Sequence, residues 1–157
     1  MREILFRGKR KDNGEWVEGY LYIKYFQELP HGRFVIQYKP NEDVCKWTPE
    51  YMVAEVDPET VGQYTGLTDK NGKKIFEGDI VHLTDIRYNN EWKAVVVFGN
   101  PYSQYSWGWN LQYIGKKPQI NTDILLWVEM EDVQVYCEVI GNIHDNPELL
   151  KSEEKVK

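Results

Sequence analysis

Residues 61–81 constrain the fold more than any other part of the chain, because they consist of two apolar runs joined by a short polar turn. The turn is Asp69-Lys70-Asn71-Gly72, and an Asn-Gly pair adopts the positive φ angles of a tight hairpin turn at little steric cost. The segment therefore predicts a β-hairpin whose second arm runs over Ile75–Leu83. It contains no obvious nucleophile, metal cage or phosphate-binding loop.

Short strand-like runs separated by turn residues continue along the rest of the chain. Alternation predicts strands over Trp16–Ile23 and Phe34–Tyr38, with a loop over residues 24–33 because these contain proline and glycine. The apolar run inside Trp92–Phe98 predicts a strand that is buried on both faces. Residues 122–128 fit either a strand or a short helix. With 14% aromatic residues and no long amphipathic helix, the pattern predicts an all-β fold.

The length and the proline positions predict two β subdomains. A chain of 157 residues suits one domain or two small subdomains. Asp57–Thr60, which contains a proline, is the expected linker. We therefore expect a small N-terminal β subdomain over residues 1–58, a second β subdomain over 59–150, and a charged flexible tail over 151–157.

Charge and hydropathy argue against two classes of partner. The net charge is −6 and the sequence pI is about 5.1, so the chain repels a phosphate backbone at long range. Nucleic-acid binding is disfavoured on this ground, although a local basic patch would override it. No stretch approaches the roughly 20 apolar residues that span a bilayer. We therefore expect a protein that works in the cytoplasm without membrane contact.

The sequence offers little material for catalysis or metal binding. Cys45 and Cys137 stand far apart, and no Cys-x-x-Cys or His-x-x-x-His spacing exists. Cys137 lies on an apolar strand, where a buried thiol is inert. Whether the two cysteines pair is not decided by their positions. We expect no catalytic residues, no metal site and no cofactor.

An aromatic stripe is the feature with the clearest functional alternative. Trp107, Trp109, Leu111 and Tyr113 alternate along one predicted strand, so their side chains share one face. Tyr105 lies just upstream in a segment rich in turn residues. Buried, these rings would build core; exposed, they would form a protein interface or a surface on which bases stack. Trp107, Trp109, Tyr113 and Tyr105 are therefore the candidate binding residues.

Three blocks of the chain, in the same order, resemble the YopX protein family of bacteriophages and prophages. These blocks contain short motifs rich in glycine and turn residues: Phe6–Arg10 and Gly14–Tyr20; Thr60–Leu67, Asp69–Gly72 and Phe76–Val81; Val139–Ile143 and Asp145–Leu150. The resemblance implies an all-β protein with an SH3-like barrel in its C-terminal part. It also implies a phage or prophage gene, and hence a bacterial cytoplasm, but no activity and no functional residues.

These observations predict a non-catalytic phage or prophage accessory protein that acts as a binding or oligomerising module. Self-association or a host or phage protein is the expected partner. The alternative is a β-barrel that binds nucleic acid. The glycine and aspartate motifs fit turn chemistry that specifies the fold: Asp79, for example, can accept backbone N–H bonds of a tight turn.

Overall fold

The structure is a computed structural model that describes residues 3–26, 29–40, 50–103, 107–120, 122–128 and 134–151. Strands dominate these residues, so the all-β prediction is confirmed. The chain divides into two compact units, Met1–Tyr64 and Thr65–Lys157. The predicted boundary at residue 58 and the SH3-like barrel stay predictions.

The first unit is an antiparallel sheet built from consecutive strands. Its strands pair in the order β4-β3-β2-β1-β5, and a short 3-10 helix at Pro58–Thr60 precedes β5. Their core side chains come from β2, β3, β4 and the residue after β4, namely Val17, Ile36, Ala54 and Val56. The strands are β1 Phe6–Lys9, β2 Trp16–Phe26, β3 Leu29–Tyr38, β4 Met52–Glu55 and β5 Gly62–Thr68.

The loop predicted over residues 24–33 is wrong, because β2 and β3 extend into it as a long hairpin. Lys24 pairs with Arg33 and Phe26 with Leu29, with a register irregularity between the two pairs. The proline and glycine that suggested a loop fall inside this irregular stretch. Pro30, which has no N–H to donate to the ladder, and Gly32, which has a positive φ, are tolerated in such a stretch.

The second unit contains a four-stranded antiparallel sheet in the order β10-β7-β8-β9, and β5 enters this unit to pair with β6. Buried side chains from β6 to β10 and from the segment before β10 form its core. Residues 122–128, which fitted a strand or a helix, form a bridge to β9 and then α1. The elements are β6 Lys74–Phe76, β7 Asp79–Asp85, β8 Asn90–Gly99, β9 Gly108–Tyr113, α1 Leu125–Val128, β10 Val135–Asn142 and a 3-10 helix at Pro147–Leu150.

The predicted hairpin forms, but its second arm is interrupted. Gly72 has the predicted positive φ, +79°, at the turn between β5 and β6, whereas the positive φ predicted for Asn71 is wrong. The continuous arm predicted over Ile75–Leu83 is wrong, because β6 ends at Phe76 and β7 begins at Asp79 in the four-stranded sheet. Gly78, with a φ of +81°, makes the turn between them.

Candidate functional site

Three aromatic residues lie at the end of the four-stranded sheet where Gly99 of β8 pairs with Gly108 of β9. Phe98 in β8 is 61% exposed and pairs with Trp109 in β9, and their ring centroids lie 5.0 Å apart in an edge-to-face arrangement. Trp107, directly before β9, is 78% exposed. We refer to Phe98, Trp107 and Trp109 as the aromatic patch. The prediction that Trp92–Phe98 is buried on both faces is wrong: Ala94 and Val96 are buried, but Val95 and Val97 on the other face are only half-buried, and Phe98 is exposed.

A buried amide holds the backbone beneath the aromatic patch. Asn110 is buried and donates a hydrogen bond from Nδ2 to the carbonyl oxygen of Gly99, at the end of β8. Its Oδ1 accepts a hydrogen bond of 3.1 Å from the hydroxyl of Thr122. A Cβ added to Gly99 would lie 3.6 Å from the Trp107 ring, so this indole packs against the β8 backbone.

The other predicted site residues do not join the aromatic patch. Tyr113 is buried in the core, and burial raises its pKa to about 12. Its backbone N–H donates a hydrogen bond of 2.8 Å to the hydroxyl of Tyr102. Tyr105 lies outside the described residues. The stripe therefore passes from the exposed Trp107, just before β9, through the half-buried Trp109 to the buried Leu111 and Tyr113.

The aspartate of the hairpin turn is fully engaged with backbone donors. Asp69 is 7% exposed and accepts at Oδ1 from the N–H groups of Asn71 and Lys73, each at 2.9 Å. Its Oδ2 accepts from the N–H of Val139 in β10 at 3.0 Å. Burial raises the pKa of this carboxyl, but the backbone donors outweigh burial and hold the pKa below its ordinary value. The ionised carboxylate ties the hairpin turn to β10.

The remaining motif residues also serve turns. Asp79 accepts at Oδ2 from the N–H of Phe76 at 2.8 Å, which confirms the turn role predicted for this carboxylate. Gly141 lies where the register of β10 shifts, and an added Cβ would collide with the side-chain oxygen of Asn146. These side chains specify the path of the chain. Their contacts give the glycines and acidic residues of the motifs a structural role, and this role needs no catalytic activity.

The part of the chain that the structure describes offers little for thiol chemistry or metal binding. Cys137 is a buried free thiol, and burial raises its pKa to about 12, so it stays protonated at neutral pH. Cys45 lies outside the described residues. Within the described ranges, no group of three or more histidine, cysteine or acidic side chains is placed to hold a metal ion.

Sequence reasoning missed a cavity of about 250 Å³ in the second unit. Trp92 and Trp127 meet edge to face at its wall, with ring centroids 5.7 Å apart. Asp85 and Arg87 form a two-armed ion pair, with nitrogen–oxygen distances of 3.0 and 2.9 Å. We call this cavity the tryptophan pocket; its lining residues are Asp85, Arg87, Trp92, Ile120, Leu126, Trp127 and Val135.

No local pattern marked the tryptophan pocket, because its two indoles stand 35 positions apart in sequence (127 − 92) and meet only through the fold. The hydrogen bonds of Arg87 hold the pKa of the Asp85 carboxyl below its ordinary value. The pocket therefore combines an apolar interior with a charge-neutral ion pair.

The model of the YopX protein family matches residues 5–151, nearly the whole chain. The chain belongs to the YopX family. The resemblance drawn from the motifs is thereby confirmed, and it extends across both units of this YopX chain. No curated protein matches it.

A solved structure adds a weak likeness. The chain is similar to the protein EF1440 from Enterococcus faecalis, with 21% identity, a TM-score of 0.45, and coverage of 96% of this chain and 100% of that one. No helix in the described ranges is both long enough and apolar enough to cross a membrane.

Proposed function

We propose that this YopX protein is a non-catalytic phage or prophage accessory protein of the bacterial cytoplasm that works by self-association through the aromatic patch. Its second subdomain, residues 59–150, would be the SH3-like barrel that presents this patch. Family membership supports the accessory role. The exposed Phe98 and Trp107 support the binding role.

The exposure of Trp107 carries this proposal. A tryptophan has a large apolar surface, and leaving 78% of it in water forgoes much of the free energy that burial would release. Tryptophan is also the residue most enriched among side chains that dominate protein interfaces. Asn110 anchors the backbone at Gly99, and the Trp107 ring lies beside this glycine.

The area of the patch indicates the size of the contact that it can make. At roughly 150–250 Å² per ring, Phe98 and Trp107 together expose on the order of 300 Å². A standard interface buries about 800 Å² per partner. The patch therefore suits a weak association centred on one or two side chains, with neighbouring residues completing the contact.

Sedimentation across a range of micromolar concentrations tests the proposal. We expect the wild type to associate reversibly and Trp107→Ser to weaken that association at least about tenfold. The control is Tyr25→Ser, which removes a ring that is 70% exposed in the first unit, and it should associate as the wild type does. Equal association of Trp107→Ser and wild type would refute the role of the patch.

Titration with single-stranded DNA at low salt separates this proposal from the nucleic-acid alternative. The acidic chain is expected to show no salt-sensitive binding. Affinity that falls steeply with salt and is lost in Trp107→Ser would instead assign the aromatic patch to base stacking.

A further inference from the structure

We infer that the tryptophan pocket is the seat for Trp107 of a second copy of this chain, so that the copies associate head to tail. This inference deepens the self-association proposed above and rests on it. It names the surface that the aromatic patch contacts.

Trp107 does not fill the tryptophan pocket of its own chain. Trp92, which lines the pocket, and Phe98, in the aromatic patch, both lie on β8 and share one of its faces, since they are six residues apart. Six residues of strand span roughly 20 Å. The Trp107 ring lies beside Gly99, beyond Phe98 and away from Trp92 along β8. Its indole is 78% exposed and does not line the pocket, so the pocket of its own chain is left open to a side chain of another copy.

The size and chemistry of the pocket suit an indole. A volume of about 250 Å³ lies below the usual 300–1,000 Å³ of pockets for drug-sized ligands, and it accommodates one large side chain. Its interior offers the faces and edges of Trp92 and Trp127, which pack well against another ring. Asp85 and Arg87 neutralise each other, so the lining favours an uncharged occupant over an ion.

Part of the lining is accessible from outside. Leu126 is 39% exposed, and the Arg87 side chain is 37% exposed. An entering ring would cover both, whereas Trp127 beneath them is already buried. The surface thus has a recess with an apolar floor. The same chain carries the exposed indole of Trp107, which we call the knob.

Head-to-tail contact has a distinctive consequence, because the two contacting surfaces differ. Each copy has one free knob and one free pocket, so the contact repeats into rings or open chains instead of closing at a symmetric dimer. Blocking either surface on every copy removes the contact between copies and weakens their association. Mixing a copy that lacks the knob with a copy that lacks the pocket restores one contact.

The test uses Leu126→Trp to fill the pocket and Trp107→Ser to remove the knob, both in the full chain. Leu125→Trp is the matched control, since Leu125 is 43% exposed but does not line the pocket. Sedimentation should find Leu126→Trp and Trp107→Ser each at least about tenfold weaker in self-association than wild type, and Leu125→Trp unchanged. An equimolar mixture of Leu126→Trp and Trp107→Ser should form a 1:1 complex and nothing larger.

The outcomes separate the two proposals. If Trp107→Ser is monomeric but Leu126→Trp associates like wild type, the pocket is not the seat, while the aromatic patch keeps its role. If the mixture of the two variants stays monomeric, head-to-tail seating is also refuted. If Trp107→Ser associates like wild type, self-association through the patch fails, and the pocket assignment fails with it. Thermal unfolding of each variant verifies that loss of association is not loss of fold.

Discussion

Replacing Asp69 with alanine should destabilise the second unit by about 3–5 kcal/mol. The substitution removes three hydrogen bonds to an ionised, 7% exposed carboxylate. The N–H of Val139 loses its partner inside the sheet, which costs roughly 1–3 kcal/mol. The N–H groups of Asn71 and Lys73 lie in an exposed turn, where water replaces the carboxylate, so each loses about 1 kcal/mol.

Urea unfolding followed by tryptophan fluorescence and circular dichroism measures this change. The control is Asp12→Ala, because Asp12 is an exposed carboxylate whose side chain contacts Arg10 within its own turn. We expect the unfolding midpoint of Asp12→Ala to match that of the wild type. A loss below about 1 kcal/mol for Asp69→Ala would refute the view that this carboxylate fastens the hairpin turn to β10.

The pH dependence of stability provides an independent check on Asp69. Its folded-state pKa lies below the ordinary value of 3.8, so the carboxylate stabilises the fold fully above the unfolded pKa. That contribution is lost as pH falls below about 4 and through the folded pKa. The stability gap between wild type and Asp69→Asn should therefore be largest at neutral pH and narrow in acid. A gap that is constant down to about pH 2 would contradict the assignment.

Three further predictions follow from buried contacts. Gly19→Ala should lower the free energy of unfolding by about 2–3 kcal/mol, because the added Cβ would collide with a carbonyl oxygen of β3. The control is Gly14→Ala, which lies in open space at a φ of +72° and should lower it by only about 1 kcal/mol. Urea unfolding measures both changes. In a Cys45→Ser background at pH 8, the thiol of Cys137 should react with a disulfide reagent at least about 100-fold more slowly in the folded protein than in denaturant. Asn110→Ala should lower the stability by about 2 kcal/mol in thermal unfolding, because two buried partners lose their hydrogen bonds.

Local chemistry predicted much of the fold. The positive φ of Gly72, the turn carboxylate of Asp79 and a strand over Trp16–Ile23 each depend on residues close in sequence, and each is found. The predicted alternation of that strand ends before Ile23, which is exposed. Prediction failed where a glycine redirects the chain. The apolar run from Ile75 continues smoothly in sequence, but the positive φ of Gly78 sends β7 into a different sheet from β6.

The sequence predicted part of the candidate site, namely Trp107 and Trp109, but not Phe98 or the tryptophan pocket. Trp107 and Trp109 stood out because they alternate along one strand, but alternation alone does not say where along β9 the core ends. Phe98 was assigned to the interior because its apolar run is continuous, although the strand extends past the core that covers Ala94 and Val96. The tryptophan pocket depends on tertiary contacts between distant segments, which no local pattern reveals.

The central position of β7 has a consequence for synthesis on the ribosome. β7 lies between β8 and β10, and its last residue, Asp85, pairs with the first residue of β10, Val135, across 49 intervening residues (135 − 85 − 1 = 49). While translation proceeds, the β7–β8 hairpin can form early, but one edge of β7 stays without its neighbour until β10 emerges. Contacts so distant along the chain slow folding, and an open apolar edge invites misassembly. The nascent protein is therefore prone to misassembly at this edge of β7 until β10 has been synthesised and pairs with it.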